Sequence, residues 1–210
     1  MTFHFKIQLK NISEPPVWRK VVVSSETTFS MFHSIIQVAM GWDDSHMYSF
    51  SPSGYRSTPW IEEDGDDQDL SALGFEDRET ISAENIKLSD IFKKKGQTFT
   101  YIYDFGDDWI HIITLEKIDK TDPSTKPKLI DGKGACPPED CGGPWGYENL
   151  KLVLEDKNHE DYQDIKEWLF GYDEYDEDED DEMFEEEEPL WDPHVYNFEE
   201  EKEMFDEIFE

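Results

Sequence analysis

Four polar residues crowd one short stretch, "YDFGDDWIH": Asp104, Asp107, Asp108 and His111. Carboxylates and an imidazole held at one turn can ligate a divalent metal or exchange protons as general acid and base. The same residue types have a competing use, since an aspartate at a turn accepts hydrogen bonds from the backbone that follows it. A second concentration lies in "GACPPEDCGGPWGYENL", where Cys136, Glu139, Asp140 and Cys141 stand among prolines and glycines. Two thiolates at this spacing supply half of a zinc site, with the remaining ligands to come from histidine or carboxylate elsewhere. Their competing use is as small buried apolar groups. His33 and His46 lie on either side of Gly41, at one end of the strongest helical pattern in the chain. The candidate polar site is therefore His33, His46, Asp104, Asp107, His111, Glu139 and Asp140, with Cys136 and Cys141 as further metal ligands. Asp104, His111 and Asp140 stand foremost among them. A metal-dependent hydrolase or nuclease would need at least three of these ligands to converge on one point, with a position left for water.

The elements that must position these groups are legible in the periodicity. Phe3, Phe5, Ile7 and Leu9 alternate with His4, Lys6, Gln8 and Lys10, the period of a strand with one wet face. "NISEPP" is turn chemistry and Val17–Val23 is β-branched, so Thr2–Ser24 reads as a hairpin. From Phe29 the apolar positions Phe32, Ile35, Ile36, Ala39 and Met40 recur at three and four. Thr27 or Thr28 can cap the start of this helix and Gly41 can close it. His46–Phe50 reads as a short strand, Tyr55–Ile86 as irregular, and "KLSDIFKK" as one or two helical turns. Phe99, Tyr101, Tyr103 and Phe105 then share one face of a strand, and Trp109, His111, Ile113 and Leu115 one face of its return, joined through "DFGDD". The glycines of the second stretch read as a rigid lead-in to a helix from Tyr147, which places Glu139 and Asp140 near its positive end. A further helix covers Tyr162–Leu169, and a last one starts at Asn197 with Glu200 three residues on as a capping box. The fold class expected is α+β: a mostly antiparallel sheet from two hairpins packed on one main helix, with C-terminal helices. The element order of the first half is that of a ubiquitin-like unit.

Charge bounds the partners. The 210 residues hold 52 Asp and Glu against 19 Lys and Arg, a formal net charge of −33. Phosphate backbone is contacted through clustered Lys and Arg. The only such run in the sequence is Lys93–Lys95, beside a glycine as at a helix end, so nucleic acid is an unlikely partner, whereas a basic protein patch or a divalent metal suits the charge. The stretch Asp173–Glu188 holds 13 acids in 16 residues and reads as a low-complexity insert, 172–188, within a single domain formed by 1–171 and 189–210. No apolar run is long enough for a signal or a membrane span. With two cysteines only, a reducing, cytoplasmic setting is expected.

Five stretches carry a resemblance: "PPVWRKVVV", "MGWDDSHMYSF", "YIYDFGDDWIHIITLEK", "CPPEDCGGPWGYENL" and "WDPHVYN". Together, and in this order along nearly the whole chain, they resemble the plasmid pRiA4b ORF-three-like family of prokaryotic proteins. The resemblance implies a single α+β domain without an assigned activity, with some members associated with mobile elements. A resolvase-like reading attached to some members has no support here, because neither a serine recombinase nucleophile context nor a basic DNA-binding tail is present. The acidic insert before "WDPHVYN" departs from the family pattern. The function expected is an acidic cytoplasmic binding or interaction protein; the alternative is the metal-dependent hydrolase or nuclease.

Overall fold

The first hairpin forms as its alternation dictates. In the computed structural model, which describes residues 1–63, 80–170 and 191–210, β1 (Thr2–Leu9) pairs antiparallel with β2 (Trp18–Ser24), Phe5 facing Val21 and Ile7 facing Arg19. Helix α1 (Phe29–Met40) follows. The Thr28 hydroxyl accepts from the Met31 amide at 3.3 Å, and Gly41 closes the helix at φ 90°. After α1 come β3 (Tyr48–Ser51), β4 (Trp60–Glu62), β5 (Thr80–Ser82), the single turn α2 (Leu88–Ile91), and the second hairpin, β6 (Thr98–Tyr103) with β7 (Trp109–Asp119). Then come β8 (Lys128–Lys133) and three helices, α3 (Gly143–Glu155), α4 (Tyr162–Phe170) and α5 (Phe198–Ile208).

Among the described residues, all eight strands join one sheet in the order β5-β4-β3-β6-β7-β1-β2-β8. Every pairing is antiparallel except β4 with β5. The α+β class, the antiparallel sheet from two hairpins, the main helix and the C-terminal helices are thus as expected. Hairpin, helix, strand, short helix and second hairpin also follow in the expected order, with β1 set antiparallel against β7. Three strands were not anticipated. β4 and β5, three residues each, lie in the stretch read as irregular, and β8 lies in one that was given no element. Phe105 leaves the strand row and packs beside Trp60 and Tyr55, with ring centroids 6.2 Å from each. The last helix does start after Asn197, but that side chain makes no capping bond. The acidic insert 172–188 and most of the patch "EEDGDDQD" lie outside the described residues.

The apolar stripe of α1 lies on the sheet, and the core between them is aromatic. Phe5 meets Phe32 and Phe92 at 5.0 and 4.8 Å, and Phe50 meets Phe29 and Tyr101 at 5.0 and 4.7 Å. Such pairs add about 0.5–1.5 kcal/mol each beyond the area they bury. One charge enters this interior. Arg19, 1% exposed, donates from Nε to Ala39 O (2.8 Å) at the C-terminal turn of α1, and from Nη1 to Lys133 O (3.1 Å) and Gly134 O (2.9 Å) beyond β8. Its guanidinium lies 3.9 Å from the centre of the Tyr196 ring. A cation at a helix C-terminus meets the negative end of the dipole. Among the described residues, no helix is long and apolar enough to cross a membrane.

Candidate functional site

Three segments meet at one end of β3 and β6: the loop into β3 with His46, the β6–β7 turn with Asp104 and Asp107, and the proline and glycine loop with Glu139 and Asp140. The turn is built as an aspartate turn should be. Asp104 Oδ1 accepts from the amides of Gly106 (2.8 Å) and Asp107 (3.3 Å). Its second oxygen, Oδ2, faces His46 Nε2 at 3.8 Å. One oxygen of this carboxylate is thus spent on the turn, and the other stands toward the imidazole.

The glycine loop is seated on that turn. Asp107 Oδ2 accepts from the Gly142 amide at 3.0 Å. Gly143, at φ 66°, comes so close that a Cβ there would lie 2.2 Å from Asp107 O, and a Cβ on Gly146 would lie 1.8 Å from Cys141 O. Only glycine permits these approaches. Trp42 Nε1 ties the same loop down through Pro137 O at 2.9 Å, and Trp191 Nε1 does so through Cys136 O at 3.2 Å. The loop so fixed presents Asp140 Oδ1 to His46 Nε2 at 3.2 Å. Asp104 and Asp140 both adopt left-handed backbone, φ 54° and 57°, which aspartate tolerates better than most residues.

His46, Asp104 and Asp140 thus offer one ligand atom each, all within 4.8 Å of one another. His46 Nε2 is shielded from solvent and near enough for ion pairing, yet it is aligned with neither carboxylate for a hydrogen bond. Tyr103 supports the corner from beneath. Its hydroxyl accepts from the Ser45 amide at 2.9 Å and donates to Glu139 Oε1 at 2.5 Å, and its ring meets that of His46 edge-on at 5.8 Å. Burial and the Glu139 carboxylate push the Tyr103 phenol well above its ordinary pKa, so it stays a donor.

The remaining candidates go elsewhere. His33 is buried, and its Nδ1 accepts from the Tyr101 hydroxyl at 2.8 Å while Nε2 donates to Asp44 Oδ1 at 2.6 Å. The Asp44 carboxylate can only accept, so Nε2 of the neutral ring carries the proton and Nδ1 is left to accept; Gln37 also donates to the Tyr101 oxygen. Burial lowers the pKa of His33 against the pull of Asp44. It is a satisfied core histidine. His111, ranked with Asp104 and Asp140 from the sequence, lies fully inside beside Trp42 and Tyr101 and donates from Nδ1 to Trp109 O at 2.9 Å. Neither Glu139 nor Asp140 faces it. Cys136 and Cys141 are free thiols outside the His46 group, and burial raises both, Cys141 to about 12, which disfavours the thiolate a metal needs. Tyr103 and Asp44 were missed. The row of Tyr101 and Tyr103 and the "WDDSH" run into His46 were the available signals.

His111 carries a pH prediction. Burial depresses its pKa to about 3 from an ordinary 6.5. The unfolded chain therefore takes up the proton first, and stability present above pH 6.5 is lost as pH falls toward 3. From pH 7 to 5 this one group is expected to cost about 2 kcal/mol. Urea unfolding at the two pH values should show a smaller loss in His111→Gln; an equal loss would place the titration elsewhere.

Comparison with known proteins is consistent in fold and silent on chemistry. A family model described as plasmid pRiA4b ORF-3-like protein matches residues 1–187. A protein of Sinorhizobium fredii (strain NBRC 101917 / NGR234), described as uncharacterized protein y4hQ, is 36% identical over 172 residues, 81% of each chain. The crystal structure of a protein of unknown function, MM3350 from Methanosarcina mazei Go1, is similar with a TM-score of 0.71 at 31% identity, covering 95% of this chain and 96% of that one.

Proposed function

This chain belongs to the plasmid pRiA4b ORF-3-like protein family, and from that premise we propose that it is an acidic cytoplasmic interaction protein whose working corner binds a divalent cation through His46, Asp104 and Asp140. One observation carries the reading: a shielded imidazole nitrogen, without an aligned hydrogen bond, stands between two carboxylate oxygens at 3.2 and 3.8 Å. Donor atoms bound at about 2.0–2.2 Å to one cation are themselves roughly 3–4 Å apart, so only a small inward movement closes the set. One imidazole with two carboxylates suits Zn²⁺ or Mn²⁺ better than Ca²⁺, which takes oxygen ligands in larger number. The bound cation would neutralise the repulsion between Asp104 and Asp140 and cross-link three segments distant in sequence.

Elemental analysis of chelator-free protein is expected to find one such cation per chain. Asp104→Asn is expected to lose it while retaining the turn bonds that Oδ1 accepts, because an amide oxygen serves there equally well. Protein that stays metal-free with micromolar Zn²⁺ and Mn²⁺ supplied would sink the reading.

The net charge of −33 supports a basic protein surface as partner. Such capture should fall as salt rises. Two unbonded thiols suit a reducing compartment, and the plasmid designation of the family is the ground for associating the chain with mobile elements. A hydrolytic role is the second reading. The Asp140 side chain is 70% exposed, so a cation held there keeps positions for water or substrate. Metal-dependent turnover of a phosphodiester, abolished by His46→Ala, would promote it.

A further inference from the structure

We propose that the outer face of the sheet, across β7, β1, β2 and β8, binds an acidic peptide segment of a partner protein. Residues directly opposite each other on paired strands share a face. Lys6 stands opposite Lys20 on one side and Thr114 on the other; His4 stands opposite Val22 and Lys117, and Val22 opposite Lys128. The alternate positions Phe5, Ile7, Val21 and Val23 point into the core, so the lysines all stand on the opposite surface. A cavity of about 560 Å³ opens on this surface, and its lining includes three lysines, Lys20, Lys95 and Lys117, with His4, against two acids, Glu116 and Asp131. In a chain of net charge −33 this is a local reversal of sign.

The Lys6 and Lys20 pair is the telling feature. Like charges directly opposite destabilise a sheet. The two ammonium groups straddle Trp18, at 5.0 and 5.6 Å from its ring centre, which offsets part of the repulsion. Lys20 also has Glu116 at 3.2 Å. Among the described residues, Lys6, Lys95 and Lys128 have no carboxylate partner. An anionic occupant would supply it. Asp119 holds Lys117 at 2.8 Å, Glu116 and Asp131 also interrupt the lysine field, and this decides which anion. A phosphate backbone carries charge at fixed short intervals and cannot avoid them, whereas a peptide can set its carboxylates over the lysines and place neutral residues elsewhere. With a screening length of about 8 Å at physiological salt, the local lysines outweigh the distant acids only for a segment in contact with them.

The test is fluorescence anisotropy of a labelled octaglutamate peptide with the full chain at physiological ionic strength, where the distant acids are screened and the lysines in contact are not. Wild type should bind it saturably. Lys6→Glu should weaken binding at least tenfold and raise Tm by about 1–3 °C, because an opposite charge then faces Lys20. Asp140→Asn, on the other corner, should bind as wild type does, which separates this proposal from the cation site. Absence of saturable binding by wild type, binding unaffected by Lys6→Glu, or tighter binding of an oligothymidylate of the same charge would each overturn it.

Discussion

Arg19→Ala is expected to be the most destabilising single substitution in the chain outside the aromatic core, at about 3–5 kcal/mol. The guanidinium satisfies Ala39 O, Lys133 O and Gly134 O in a setting that leaves it 1% exposed. Truncation strands those carbonyls, opens a void under Tyr196 and removes a cation from the C-terminal end of α1, and each of these effects acts in the same direction. A loss of this size should lower Tm by roughly 10 °C and shift the urea midpoint by about 2 M. Arg19→Lys should fall between, since an ammonium restores the charge but not the fork that reaches α1 and the end of β8 together. A midpoint indistinguishable from that of wild type would mean that the carbonyls find water and that the guanidinium is incidental.

Gly143→Ala is expected to cost about 2–4 kcal/mol and, unlike Arg19→Ala, to uncouple the proposed cation site while the core stays folded. The added Cβ would meet Asp107 O at 2.2 Å, backbone against backbone, so either the glycine loop lifts or the β6–β7 turn is driven away. Asp140 rides on the first and Asp104 on the second, so separating them removes the convergence on His46. Gly142→Ala is the internal control. Its backbone is also left-handed, at φ 87°, but the nearest atom to the new Cβ is 3.5 Å away. It should show the conformational strain alone, about 1 kcal/mol, with cation binding retained. Equal effects of the two substitutions on stability and on metal content would mean that the loop and the turn are not mutually seated.

Much of this architecture is written locally. The β1 alternation, the threes and fours of α1 and the Thr28 and Gly41 caps each state their element within a dozen residues, because burial on one face imposes its period on the chain. β8 is not written that way. "KLIDGK" offers two adjacent apolar residues, and the register shift between Lys20 and Val21 displaces Ile130 from the alternation, so only its partner β2 explains it. The corner shows the same division. Turn aspartates and a glycine-fixed loop announce Asp104 and Asp140, but which histidine joins them depends on which side of a strand each histidine faces. His111 shares its strand face with Trp109, Ile113 and Leu115, and that face turns inward and takes His111 away from the corner. The lysine face is invisible to any scan for basic runs, since strands scatter Lys6, Lys20, Lys117 and Lys128 singly along the chain and only pairing collects them.

The burial of Arg19 also orders events in time. Lys133 and Gly134, two of the groups that enclose it, are made long after β2, and the Tyr196 ring that covers it comes later still, nearly the whole chain after the arginine. At translation rates of roughly 5–20 residues per second, β2 waits on the order of ten seconds or more with an uncovered guanidinium on its core side. The first hairpin therefore leaves the ribosome as an incomplete unit, and the step that closes its interior waits for Tyr196. A ribosome stalled before Trp191 would hold a nascent chain with its α1 and β2 contact still open to water, and with it the surface a chaperone would recognise.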